Sequence, residues 1–62
     1  MRLKIKRIDR GYTLEKMAVE LGVNILTYRA WEMDPRKITI ENAHKICKLL
    51  KCKFEEIDEW QK

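Results

Sequence analysis

TLEKMAVELGVNILTYRAWE, Thr13 to Glu32, is the stretch whose reading decides how this chain folds. Leu14, Met17, Ala18 and Leu21 recur at spacings of three and four, the period of an apolar helical stripe. Thr13 stands where a side-chain oxygen can accept a hydrogen bond from a free N–H of the first turn, and Gly22 suits the left-handed conformation that stops a helix. Gly22-Val23-Asn24 then leaves a three-residue turn, with Asn24 as the N-cap of a further helix running to about Met33. The spacing predicts two short helices meeting at a tight corner. Met17, Leu21, Tyr28 and Trp31 supply its inward face.

Working outward, Leu3, Ile8 and Ile5 fall on an approximate helical stripe that Gly11 ends, which predicts a first helix. Asp34-Pro35 breaks the third helix, because the residue before proline is pushed out of helical conformation, and Pro35-Arg36-Lys37 reads as an exposed basic loop. Thr39 restarts the pattern. Ile40, Ala43, Ile46, Cys47 and Leu50 mark an amphipathic fourth helix, and Phe54, Ile57 and Trp60 a short fifth one. The expected class is all-α, with residues 1–62 as one domain.

Composition agrees. A chain of 62 residues that is 45% hydrophobic and 39% charged, with two Gly and one Pro, suits a small helical domain better than a disordered tail or a turn-rich β-sandwich. A chain this short buries only about 60% of its unfolded surface, so modest stability is expected. No apolar run approaches the roughly 20 residues of a membrane span, and MRLKIKRIDR lacks the unbroken apolar stretch of a signal peptide. The expected location is the cytoplasm, without membrane association, where Cys47 and Cys52 serve as small core residues rather than a disulfide framework.

His44, Cys47 and Cys52 form H-x2-C-x4-C, but a structural zinc site wants four ligands and the chain has no further Cys or His. No metal and no cofactor are expected. Nothing pairs a nucleophile with a base, which argues against an enzyme. The net charge is +4, with Arg2, Lys4, Lys6, Arg7 and Arg10 at one end of the sequence and Glu55, Glu56, Asp58 and Glu59 at the other. Such a polarised, basic chain attracts polyanions, although charge runs on small helical proteins are more often solvated faces.

On these residues the sequence resembles the Cro/C1-type helix-turn-helix family, the XRE-like domains of phage repressors and small bacterial regulators. RLKIKRIDRGYT is similar to the family's first helix and turn, TLEKMAVELGVNILTYRAWE to its core, and ITIENAHKICKLLKCKFEEI to its C-terminal part. The resemblance implies a compact five-helix, lambda-repressor-like domain with the helix-turn-helix at about residues 14–33. It also implies a largely buried ion pair between Arg7 and Glu32, tying the first helix to the end of the third. Ala18 is small where the third helix crosses the second.

The resemblance places Ile25, Leu26, Thr27, Arg29 and Ala30 against base edges, and only two of these carry hydrogen-bonding ends. Thymine methyl groups, displayed only in the major groove, would suit the apolar three, while Thr27 and Arg29 would bond to base edges or phosphates. Thr13, Lys16, Tyr28, Arg36, Lys37 and Asn42 are the candidate phosphate contacts, holding the duplex without reading it. The expected partner is a double-stranded DNA operator and the expected role a repressor of phage, mobile-element or bacterial origin. Phe54, Ile57 and Trp60 form the candidate surface for a homodimer, including one formed only on DNA; the competing reading puts them in the monomer's core.

Three departures from the family pattern stand out. Leu14 replaces a Gln that touches phosphate, Lys51 replaces the Gly after the fourth helix, and Lys53 replaces a small polar cap. A second functional reading stays open, in which exposed Ile25 and Leu26 bind a protein, as in an antirepressor or antitoxin-like adaptor. The basic loop and the near-complete family pattern favour DNA.

Overall fold

The computed structural model describes residues 1–61. Its elements are α1 (Leu3–Asp9), α2 (Leu14–Leu21), α3 (Ile25–Met33), a 3-10 turn over Pro35–Lys37, α4 (Ile40–Leu50), and two further 3-10 turns, Phe54–Glu56 and Asp58–Trp60. Among the described residues all regular structure is helical, as the apolar periodicity predicts.

Three helices start on side-chain caps. Thr13 Oγ1 accepts from the Lys16 N–H at 3.0 Å, Asn24 Oδ1 from the Leu26 N–H at 2.7 Å, and Thr39 Oγ1 from the Asn42 N–H at 3.2 Å. Each cap satisfies a donor that the first turn leaves free, worth about 1 kcal/mol. Gly22 closes α2 at φ 71°, a left-handed conformation that turns the chain into α3. α4 closes in the same way without a glycine: Lys51 sits at φ 52° and ψ 49°, and the Cys52 N–H returns to the Cys47 carbonyl at 3.0 Å. The motif's hydrogen bonding thus survives the replacement of glycine, at the cost of left-handed strain.

One core joins the elements, made of Leu3, Met17, Ala18, Tyr28, Ile38, Ala43, Ile46, Leu50 and Ile57. α2 packs chiefly against α3. Ala18, only 3% exposed, lies in that core as expected of a small residue near the α2–α3 corner. Cys47 is also buried, and burial, followed by the neighbouring Cys52, pushes its thiol up to about 12.

Four sequence-based expectations are corrected. α1 does not bury Ile5 and Ile8, which are 49% and 54% exposed; its inward residues are Leu3, Lys6 and Arg7. The two cations tolerate burial because each meets a carboxylate, so hydropathy alone misplaces the face. Ile40 is 70% exposed, lying in the first turn of α4 before the buried stripe begins at Ala43. The fifth helix is replaced by two 3-10 turns separated by Ile57, whose extended backbone (φ −94°, ψ 110°) interrupts a segment too short to sustain α-helix without tertiary support.

The opposed charge runs, fourth, are not opposed in space. Lys6 Nζ meets Glu56 Oε1 at 3.0 Å, the Leu3 N–H donates to Glu59 Oε1 at 2.9 Å, and Arg2 Nε lies 3.7 Å from Glu59 Oε2. The acidic segment is folded back onto α1. Glu56 also accepts from the Lys53 N–H at 2.8 Å. That backbone bond first, and Lys6 second, hold its carboxyl below the usual carboxylate range.

Candidate nucleic-acid interface

The corner between α2 and α3 sets the direction of α3. With Tyr28 fully buried and Trp31 half-buried against the core, the opposite face of α3 is turned to solvent. Ile25, Leu26, Thr27, Arg29 and Ala30 are all exposed on it, Ile25 by 40% and Leu26 by 69%. The five side chains predicted from the sequence to face bases therefore share one helix and one exposed surface. Met33, 83% exposed at the end of α3, extends it. Sequence reading missed this residue, although Leu26, Ala30 and Met33 follow one another at the four- and three-residue steps of a single helical row.

The Arg7–Glu32 pair holds this helix to α1. Arg7 Nε lies 2.5 Å from Glu32 Oε2 and Nη2 lies 3.3 Å from Oε1, a two-pronged contact, and Nη1 donates to the Tyr12 carbonyl at 2.6 Å. Both side chains are 7% exposed. The guanidinium thus finds a partner on each of its three nitrogens, the condition under which a buried cation is tolerated.

Tyr28 corrects the expectation of a phosphate contact. Its residue is 0% exposed and its hydroxyl is buried without a hydrogen-bond partner, so it cannot touch a duplex lying on the surface. Burial, and then nearby Glu32, push the phenol strongly upward; the carboxylate is close enough to be felt but lacks hydrogen-bond geometry. The ring packs edge-on to Trp31, with centroids 6.2 Å apart.

The other candidate phosphate contacts remain outside or at the rim. Thr13, Lys16, Arg36 and Lys37 are exposed and Asn42 is half-buried. Thr13 uses its oxygen as an acceptor for the cap and keeps its hydroxyl hydrogen for an external acceptor. Lys16 bridges to Glu20 at 3.2 Å, an exposed pair that gives little stability and leaves the ammonium available. Arg36 and Lys37 occupy the 3-10 turn after α3, whose buried Pro35 anchors it to the core. The loop is therefore basic and exposed as expected, and also locally ordered.

Of the candidate dimer residues, Ile57 is corrected outright: it is 0% exposed and belongs to the monomer's core. Phe54 and Trp60 are half-buried, stacked with centroids 5.0 Å apart, and Trp60 Nε1 donates to the Pro35 carbonyl at 3.0 Å. Together with Arg36, Ile38, Ile40 and Ala43 they border an open groove of about 490 Å³.

Two short helices across a three-residue turn, the second with its N-terminal turn exposed and a basic turn following its C-terminus, define a helix-turn-helix domain of the DNA-binding kind. The family model described as helix-turn-helix matches residues 3–57, and the chain belongs to that family, in its Cro/C1-type branch. Its members bind double-stranded DNA, regulate transcription and are typically not enzymes. No curated protein and no solved structure gives a match. Among the described residues no helix is long and apolar enough to cross a membrane.

Proposed function

We propose that this protein is a transcriptional repressor of phage, mobile-element or bacterial origin that acts in the cytoplasm, laying α3 in the major groove of an operator and blocking polymerase. The observation that carries the reading is the simultaneous exposure of Ile25, Leu26, Thr27, Arg29 and Ala30 on α3 and of basic Arg36 and Lys37 in the turn that follows it. Ile25, Leu26 and Ala30 contact thymine methyl groups, while Thr27 and Arg29 bond to base edges, where a bidentate Arg–guanine pair discriminates by about 1–3 kcal/mol. Thr13, Lys16, Arg36, Lys37 and Asn42 hold phosphates.

Two copies bind a pseudo-symmetric site with half-sites about 34–36 Å apart. They meet at the groove bordered by Phe54, Trp60 and exposed Ile40, a pairing weak enough to form chiefly on DNA. The test is selection of bound sequences from a random duplex pool at roughly physiological salt, followed by titration of the winner against unrelated DNA at several salt concentrations. A symmetric motif bound about 10³-fold or more above unrelated DNA is the expected result. Absence of any enriched motif would overturn it and turn attention to a protein partner for Ile25 and Leu26.

A further inference from the structure

The exposed side chains on the first two turns of α3 differ in what they can distinguish. Ile25, Leu26 and Ala30 end in methyl groups and carry no donor or acceptor. Such a surface senses a methyl group on the base but not the polar atom beside it. Thymine and cytosine differ in the major groove in two respects: thymine shows a C5 methyl and an O4 acceptor, cytosine a bare C5 and an N4 amino donor. Only the first difference can be felt by an apolar side chain. Cytosine methylated at C5 presents the same methyl at the same ring position as thymine, so the apolar part of α3 has no means of telling the two apart.

Resting on the major-groove reading above, we propose that α3 is a reader of the pyrimidine C5-methyl group itself, and that 5-methylcytosine substitutes for thymine at the positions facing Ile25, Leu26 and Ala30. Leu26 leads, being more exposed than Ile25 and lying in the helix's first turn, where recognition helices reach the base edges. The occupant of this apolar face is a duplex because basic groups flank it: Arg29 within the helix, and Arg36 and Lys37 in the turn beyond its C-terminus. Met33 lies seven residues, about 10 Å, further along the row than Leu26. Its flexible thioether is equally blind to polar identity. Thr27 and Arg29 remain the residues that distinguish one polar edge from another, since a hydroxyl both donates and accepts while a guanidinium only donates. The consequence is an operator whose affinity rises when its cytosines are methylated at chosen positions, with no change in base sequence.

The experiment uses the intact protein and the duplex selected from the random pool. Each thymine is replaced in turn by deoxyuridine, which keeps O4 and loses only the methyl. The same positions are then converted to C·G pairs, with and without a C5 methyl. At two or more positions, deoxyuridine is expected to weaken binding by about fourfold, the factor for burying one methyl-sized group. C·G is expected to weaken it similarly, and 5-methylcytosine to restore most of the loss. Leu26→Ala should remove the thymine–deoxyuridine difference at one of these positions and keep the fold, because the side chain is 69% exposed. Deoxyuridine without effect, or loss with C·G that methylation fails to restore, overturns methyl reading and leaves sequence-specific binding intact. A pool that yields no preferred duplex overturns the underlying DNA reading instead.

Discussion

Replacing Glu32 by Ala leaves the Arg7 guanidinium buried with one of its three bonds, that to the Tyr12 carbonyl. Breaking a buried pair in this way costs about 3–5 kcal/mol, because the remaining charge loses its partner without gaining water. A chain of 62 residues has a total stability of about 3–9 kcal/mol at the usual density per residue. Glu32→Ala should therefore sit at or near the edge of folding. Replacing both partners by apolar residues of similar size, Arg7→Met with Glu32→Leu, should cost far less than the two single changes together, since no charge is left behind. Urea unfolding followed by the fluorescence of Trp31 and Trp60 measures all four members of the cycle, with the slope checked for two-state behaviour. The coupling between Arg7 and Glu32 should also change little in high salt, because a pair at 7% exposure is poorly screened. A Glu32→Ala cost below about 1 kcal/mol, or single costs that simply add in the double variant, would refute the account of the pair as buried and coupled.

Tyr28→Phe removes a buried hydroxyl that has no partner, so unfolding midpoints should stay unchanged or rise by the equivalent of about 1–2 kcal/mol. Lys51→Gly relieves a left-handed lysine and should stabilise by about 1 kcal/mol in the same assay. The depressed Glu56 carboxyl contributes stability that is present above the ordinary glutamate range and is lost as pH falls through its lower folded value. Glu56→Gln should accordingly flatten the acid limb of a stability–pH curve. Arg36→Ala or Lys37→Ala should weaken binding to all duplexes alike and flatten the salt dependence, whereas Thr27→Ala or Arg29→Ala should change the preferred sequence in repeat selections. Uniform loss from all four would contradict the division of roles.

What could be read from the sequence depended on where local chemistry and tertiary packing agree. The bounds of α2 and α3 were legible because Thr13, Gly22 and Asn24 are chemical punctuation, whose hydrogen bonds and backbone angles are local. The outward face of α3 was legible from the family resemblance, which places Ile25, Leu26, Thr27, Arg29 and Ala30 there, but Met33 stood only as a helix terminus. The apolar stripe of α1 misleads because its buried face is two-thirds cationic: the resemblance implies the burial of Arg7 against Glu32, but no periodicity of apolar residues can reveal a lysine buried for the sake of a carboxylate 50 residues away. Tyr28 misled differently: a tyrosine ordinarily brings its hydroxyl to water or a partner, and here the ring's packing overrides that preference. The segment after α4 carried a helical spacing of Phe54, Ile57 and Trp60, yet Phe54 and Trp60 lie in separate turns and Ile57 reaches the core from the extended residue between them.

The clasp between α1 and the acidic segment bears on the order in which the molecule comes apart. Leu3 and Glu59 are 56 residues apart in sequence, and Lys6 and Glu56 are 50 apart, whereas α2 and α3 are joined by a short turn. Closing so long a loop costs only slightly more entropy than closing one half its length, so the clasp is affordable, but it cannot form until both sides are in place. α1 and the last two turns are thereby one cooperative unit built from opposite ends of the sequence. Their amide hydrogens should exchange together and faster than those in the middles of α2 and α4, because the first opening of the native state releases both sides at once.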